Sequence, residues 1–403
     1  MQADSAQNRI TAMRRRGIRF GTGRTRALLN ALGSPDDRLK IIHVAGSNGK
    51  GSVCAYLSSV LMAAGRRVGV YTTPEVFCFE DQFSIDGKTS RDLCEKYLAA
   101  ADEAAERLED KPTAYERQTA AAFLMFAGEG CEYAVIEACM GGLLDTTNAV
   151  NKKLLAAITS ISLEHTEFLG KTLREIAENK AGIIKNCPAV ISRCVPEEER
   201  PVFYCRGARL SLAAEDIVSA EGGSYFTCGG RRYFTRMAGC MQPHNAAVAI
   251  TCAQLLGIGA EDIAHGIAAA ELPGRLQIIK SRGKEYVLDG AHNPESFIPL
   301  AGLLGENAGK TRTVVYGCLS DKNADAVLKM LRGCVEKFIA VRAPSYRAMD
   351  FNKMFSACRA VFPECIAADS IPHALDMASG GIVAVCGSFT LLKEAKQWIE
   401  KEQ

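Results

Sequence analysis

The stretch Ile41-Ile42-His43-Val44-Ala45-Gly46-Ser47-Asn48-Gly49-Lys50-Gly51-Ser52 constrains this chain more than any other. Lys40–Ala45 reads as a short buried strand, the glycines after it as a tight turn, and residues 51–64 as a helix. A strand that passes through a glycine-rich turn into a helix leaves backbone N–H groups at the helix start, where the positive dipole end favours an anion. Lys50 adds a point charge, and Ser52 offers a hydroxyl near a phosphate-bound Mg²⁺. The spacing is not the strict G-x-x-x-x-G-K-[ST] form. Val44 stands at its first glycine and the hydroxyl comes one residue late. Strand, glycines, lysine, hydroxyl and helix still agree on polyphosphate binding.

The rest of the chain repeats the alternation of strand and helix. Residues 67–72, 133–138 and 155–161 read as strands, and residues 91–108 and Ala114–Gly128 as helices with apolar residues at helical spacing. Such alternation implies parallel β-α-β units with ligands at the carboxyl ends of the strands. Residues 217–234 switch to short glycine-rich strands with a turn at Gly229-Gly230, an antiparallel hairpin, and residues 245–257 form an apolar helix. Leu272-Pro273-Gly274-Arg275 breaks the helical period, and a second alternating series follows with strands at 285–288, 313–316, 337–341 and 382–386. The expected fold is therefore α/β with two domains and a boundary near residues 275–281. Residues 1–276 carry a P-loop-type, mostly parallel sheet with helices on both faces, and residues 277–403 a smaller Rossmann-like α/β domain.

Composition excludes several partner classes. The 403 residues carry a net charge of +2 without a long run of one sign, which gives no electrostatic basis for a nucleic-acid or membrane-surface partner. Residues 1–16 are polar and basic without a signal-peptide apolar core, and no run approaches the roughly 18 apolar residues of a spanning helix. A cytoplasmic monomer is the expectation. The 16 cysteines are scattered singly, with no Cys-x-x-Cys pair and no Cys/His cluster at zinc spacing, so most read as reduced core residues.

Further candidates are weaker when read alone. Glu137 follows an apolar run and precedes Gly141-Gly142, which suits a Mg²⁺ ligand and equally a solvated strand-end carboxylate. His165, within Thr159-Ser160-Ile161-Ser162-Leu163-Glu164-His165, is a lone histidine, and its nitrogen matches hard Mg²⁺ poorly. Lys180 reads as a surface lysine or a phosphate contact, and Asp289-Gly290 as a commonplace turn.

Taken together, these segments carry a resemblance. Ser47-Asn48-Gly49-Lys50-Gly51-Ser52 after His43-Val44-Ala45-Gly46 resembles the nucleotide loop of the Mur ligase superfamily, in its folylpolyglutamate and dihydrofolate synthase branch. The stretch from Glu137 to Asn148 is similar to that branch's Glu-x-x-x-Gly-Gly-Arg-Leu-Asp-Ala-Thr-Asn, and matching segments run from about Gly17 to Leu392. The resemblance implies an ATP- and Mg²⁺-dependent ligase that activates a carboxylate as an acyl phosphate and joins it to an amine, in a cleft that closes at a hinge near Arg275. It implies ATP contacts at Asn48, Gly49, Lys50, Gly51, Ser52 and Asn245, with Arg275 on phosphate and Asp289 on the ribose. Thr73, Glu137 and His165 would hold Mg²⁺, and Lys180, carbamylated, a second ion. Lys50, Lys180 and His292 are the implied catalytic residues, with Lys322 near the incoming amine. Thr113, Ala114, Tyr115, Glu116, Leu144, Asp145 and Thr146 match positions that contact the pteroate group, so folate or dihydropteroate and L-glutamate are the expected substrates.

Four places depart from the pattern. Glu75 replaces a histidine, Asp81-Gln82 stands for Glu-Arg, Leu143 replaces an arginine and Met241 a histidine. Nucleotide chemistry therefore rests on more matching positions than the acceptor does. A Mur-like ligase on another carboxylate, and a nucleotide-binding homologue without turnover, stay open at this point.

Overall fold

A computed structural model describes residues 5–13, 19–307 and 309–401. Part of the basic stretch at 1–16 lies outside the described residues. The chain forms two compact units: Met1–Pro74 with Glu80–Arg236 and Gln242–Glu271, and Leu272–Gln403 with Glu75–Phe79 and Met237–Met241.

The first unit is built on seven strands: β1 (Lys40–Ala45), β2 (Val68–Tyr71), β3 (Phe83–Ile85), β4 (Tyr133–Glu137), β5 (Leu155–Ile158), β6 (Ala189–Ile191) and β7 (Ala208–Leu210). Their order is β3-β2-β4-β1-β5-β6-β7, and every pair is parallel except β2 with β3. All residues of β4 and β5 are buried, as are those of β1 after Lys40, because helices cover both faces of a parallel sheet. Continuous apolar runs rather than alternating ones are the consequence. β8 (Glu215–Ala220), β9 (Gly223–Cys228) and β10 (Arg231–Thr235) form a separate antiparallel sheet in the same unit, with Gly229 and Gly230 at positive φ in the tight turn. The expected hairpin is thus present and carries a third strand.

The helix Lys50–Ala63 that follows β1 is buried nearly all round, which its even spread of apolar residues requires. It lies against the helix Ala260–Ala269 at Gly266, where an added Cβ would sit 2.3 Å from the Cα of Val60. Ser59 Oγ donates to the Gly266 carbonyl at 2.7 Å. Backbone meets backbone here, so the contact fixes where the glycine-rich turn begins its helix.

The second unit has six strands, β11 (Gln277–Ser281), β12 (Lys284–Leu288), β13 (Arg312–Tyr316), β14 (Lys337–Val341), β15 (Ile366–Ala368) and β16 (Ile382–Cys386), ordered β11-β12-β16-β13-β14-β15. Only β11 with β12 is antiparallel. The period-two pleat divides its apolar residues between two layers: Val314 and Tyr316 pack with Phe297, Leu300 and Leu331, while Val315 packs with Leu375, Leu391 and Ile399. Both units are α/β, the fold class read from the strand–helix alternation. All 16 cysteines are free thiols; nine are buried, five half-buried, and Cys205 and Cys240 exposed. Among the described residues no helix is long and apolar enough to cross a membrane.

The Gly266 contact gives a test with an internal control. Ala is favoured over Gly in an open helix by about 1 kcal/mol, and a Cβ on exposed Gly302 would meet nothing within 4 Å. Gly302→Ala should therefore stabilise slightly, whereas Gly266→Ala should destabilise by about 1–3 kcal/mol through overpacking. Chemical denaturation of the two variants measures both, and equal stabilisation by both would refute the close contact.

Candidate active site

The turn after β1 is shaped by glycine at two places. Gly46, at φ +152°, could carry a Cβ only 1.9 Å from Thr159 Oγ1, and Gly49, at φ +84°, only 2.5 Å from Asn245 Oδ1. The end of β5 then clamps the turn. Thr159 Oγ1 and Ser160 Oγ donate to the Asn48 carbonyl at 2.5 and 3.1 Å, Asn48 N donates to Ser160 Oγ at 2.9 Å, and Ser47 N donates to the Ser160 carbonyl at 2.9 Å. Ser162 N adds a bond to Ser47 Oγ at 3.0 Å. One side of the turn is thereby satisfied by protein. No side chain caps the helix at Gly49, so its first N–H groups are the orphan donors of a helix start. Lys50 Nζ folds over the turn and donates to the Gly46 and Ser47 carbonyls at 2.9 and 3.0 Å. Asn245, 195 residues on in the helix Gln242–Leu255, is brought against Gly49. Thr159 and Ser160 were not singled out from sequence, although a run of hydroxyls just past a strand was the available signal.

Charge beside the turn is arranged around a carboxylate that sequence reading treated only as a neighbour of His165. Lys180 is buried and donates to Glu164 Oε1 at 2.6 Å. Burial would push the Glu164 carboxyl up, but Lys50 and Lys180 outweigh it and hold it at about 2. Burial pulls Lys180 down to about 8, against the opposing pull of Glu164. At neutral pH the two form an ion pair under the influence of Lys50.

Glu137 ends β4 with its carboxylate buried, and Oε2 accepts from Thr73 N at 3.3 Å. Burial, followed by the Asp145 carboxylate, pushes the Cys139 thiol up to about 12. Among the described residues no three His, Cys, Asp or Glu side chains stand together as a metal cluster. Mg²⁺ that travels with nucleotide phosphates keeps waters and takes only one or two carboxylates from protein. Glu137 and the Thr73 hydroxyl are hard oxygen donors of that kind, so the donor set fits. His165 is exposed, at φ +45°, and begins the one-turn helix Thr166–Leu169.

In the segments matched by sequence to acceptor contacts, two carboxylates turn inward. Glu116 is fully buried, closes a capping box with Thr113 at the start of the helix Ala114–Gly128, and pairs with Arg24 at 2.9 Å. Asp145 accepts from Met140 N at 2.6 Å and from Thr147 N at 3.0 Å, and burial raises its pKa against those bonds. Both side chains shape their turns rather than reach outward. Ala114 is buried, Tyr115 is half-buried, and Thr146 Oγ1 bonds to Thr119 Oγ1 at 2.7 Å. What is outward is apolar: Leu143 and Leu144 are 48% and 45% exposed. Gly21 N donates to the Leu144 carbonyl at 3.4 Å, and exposed Phe20 packs on exposed Phe168 with ring centroids 5.6 Å apart.

The second unit carries Arg275, Asp289, His292 and Lys322. Arg275 lays its guanidinium carbon 4.6 Å over the centre of the Phe389 ring. Asp289 is buried, accepts from Ala291 N at 3.0 Å, and is pushed up by burial to about 7 against the pull of Arg275. His292 Nδ1 donates to the Gly290 carbonyl at 2.8 Å. Lys322 pairs with Asp321 at 3.1 Å. Of the departing positions, Gln82 is buried with its carbonyl accepting from Thr72 N, and Leu143 packs beside Gly182.

Two family models match: the Mur ligase middle domain over residues 44–253, and the Mur ligase glutamate ligase domain over residues 274–389. The chain belongs to the Mur ligase family. Within it, the chain is 32% identical over 346 residues to the dihydrofolate synthase/folylpolyglutamate synthase of Bacillus subtilis, covering 78% of this chain and 79% of that one. A Mycobacterium tuberculosis folylpolyglutamate synthase, solved with ADP and AMPPCP, superposes with a TM-score of 0.89 at 26% identity over 98% of each chain. A bifunctional folylpolyglutamate synthase/dihydrofolate synthase with Mn, AMPPNP and L-glutamate bound gives 0.84 at 26% identity, over 99% of this chain and 98% of the other. The end of β1, the turn and the helix after it fall within the middle-domain match of this Mur ligase.

The Glu164–Lys180 pair predicts a pH signature. A carboxyl held at about 2 in the fold, against an ordinary 4.5, contributes stability that is fully present above pH 4.5 and is lost as pH falls through about 2. Glu164→Gln should cost on the order of 3 kcal/mol at pH 7. Denaturation of both proteins across pH should show that gap closing between about pH 4.5 and 2, and a gap independent of pH would contradict the pairing.

Proposed function

We infer that this Mur ligase adds L-glutamate to the carboxylate of folate or dihydropteroate, using ATP and a divalent metal and passing through an acyl phosphate. The observation that carries the reading is the turn from Gly46 to Ser52, tied to the end of β5 on one side and opening an uncapped helix start on the other, with Lys50 folded over it. Membership in a branch whose Bacillus subtilis relative is named dihydrofolate synthase/folylpolyglutamate synthase supports the choice of substrates.

The chemistry follows from where charge develops. A carboxylate is a poor electrophile, so its oxygen first attacks the terminal phosphorus of ATP, and ADP leaves. Backbone N–H groups at residues 49–52 and the Lys50 ammonium hold the phosphate oxygens and offset charge as it shifts. Mg²⁺ held by Glu137, Thr73 and His165 would add to that neutralisation when bound. Glu164 keeps Lys180 in place through their ion pair. Burial lowers Lys180, which raises the fraction of neutral amine open to carbamylation. The glutamate amine then attacks the acyl carbon, the amide forms and phosphate departs. Arg275 and Asp289 serve phosphate and ribose in this reading, with Asn245 beside the turn, and His292 near the chemistry.

Acceptor selection rests on the apolar surface at Phe20, Leu144 and Phe168, which suits a flat aromatic ring system. Leu143, in place of an arginine, extends the apolar character at that loop.

ADP release with ATP, Mg²⁺ and glutamate tests the reading when dihydropteroate or tetrahydrofolate is added or withheld. Stimulation by either pterin is the expected result, and turnover only with a non-pterin acid would overturn the acceptor. Lys50→Ala should lower kcat at least about 100-fold while leaving the thermal melt unchanged, and an active variant would contradict the placement of the phosphates.

A further inference from the structure

Phe389 lies at the start of the short turn Phe389–Leu391 after β16 and is 8% exposed. Its surroundings are not those of an ordinary core phenylalanine. The Arg275 guanidinium stands over its ring at 4.6 Å, and the His292 ring centroid is 6.4 Å away, tilted by 53°. Gly290 makes room for it: a Cβ there would lie 2.3 Å from Phe389 Cε1, whereas one on Gly274 would only touch that atom, at 3.5 Å. Gly290 N donates to the Gly274 carbonyl at 2.8 Å, which ties the two segments together beside the ring. His292 is turned by its own bond to the Gly290 carbonyl at 2.8 Å.

We propose that Phe389 is a positioning residue for nucleotide use, its π face holding the Arg275 guanidinium and its edge setting the Gly290–His292 turn. The proposal rests on the reading of Arg275 as an ATP phosphate contact. A planar guanidinium on an aromatic face keeps its N–H fork free to aim in the ring plane, which a lysine or an unstacked arginine does not achieve. Gly290 is then required by the ring: any side chain there displaces Phe389, and Arg275 loses its support. Nothing in the strand–helix pattern marks Phe389, since it reads as one more apolar residue after a buried strand.

The test uses initial rates of the full chain with ATP varied at saturating pterin acceptor and glutamate. Phe389→Leu and Phe389→Met keep apolar volume and remove the π face, so KM for ATP should rise about threefold to thirtyfold, while KM for the acceptor stays within about twofold. Phe389→Tyr should restore the wild-type value. Arg275→Ala separates the two ideas. If Arg275→Ala leaves KM for ATP unchanged, the phosphate reading of Arg275 fails and the proposal with it. If Arg275→Ala raises it but both Phe389 variants match wild type, the proposal alone is wrong. Combining Phe389→Leu with Arg275→Ala should add nothing to Arg275→Ala alone, and additive losses would overturn action through Arg275. Thermal melts accompany each variant, and an equal rise in KM for ATP and acceptor would assign Phe389 to general packing instead.

Discussion

The clamp of Thr159 and Ser160 on the Asn48 carbonyl is the interaction on which the site depends. β1 lies between β4 and β5, and its turn must leave the sheet without stranding polar backbone. The hydroxyls at the end of β5 take up that polarity on one side. The donors of the helix start are left for an anion, and Lys50 is the cation nearest to hand. Gly46 and Gly49 follow from the same constraint, because the clamp and Asn245 occupy the space where their side chains would be.

Electrostatics around the turn works by local balance in a chain with a net charge of only +2. Glu164 offsets two lysines, one on the turn and one buried, and so permits a high local density of positive charge without unfolding the segment that carries it. Asp289 is handled differently in the second unit, where burial outweighs Arg275 and leaves the carboxyl near neutrality. Both depend on partners carried by another element, 16 residues away for Glu164 and Lys180.

That distance explains what was and was not legible. The phosphate turn is written in contiguous residues, and Glu137 ends an uninterrupted apolar strand, so local pattern finds both. The α/β class follows from the alternation of strand and helix periods for the same reason. Side-chain direction is another matter: Glu116 and Asp145 match acceptor-contacting positions by sequence, yet each is turned inward by backbone N–H groups of its own turn. Glu164 with Lys180 and Phe389 with Arg275 are tertiary pairings that no helical or strand period indicates. The attachment of Glu75–Phe79 and Met237–Met241 to the second unit is of the same kind.

Crystals of the chain grown with Mg²⁺ and a β,γ-methylene analogue of ATP test the central claim most directly. The β and γ phosphates should lie against the N–H groups of residues 49–52, with Lys50 swung from the Gly46 and Ser47 carbonyls onto their oxygens and the metal near Glu137. Phosphates bound elsewhere, with Lys50 still folded on its own turn, would contradict it.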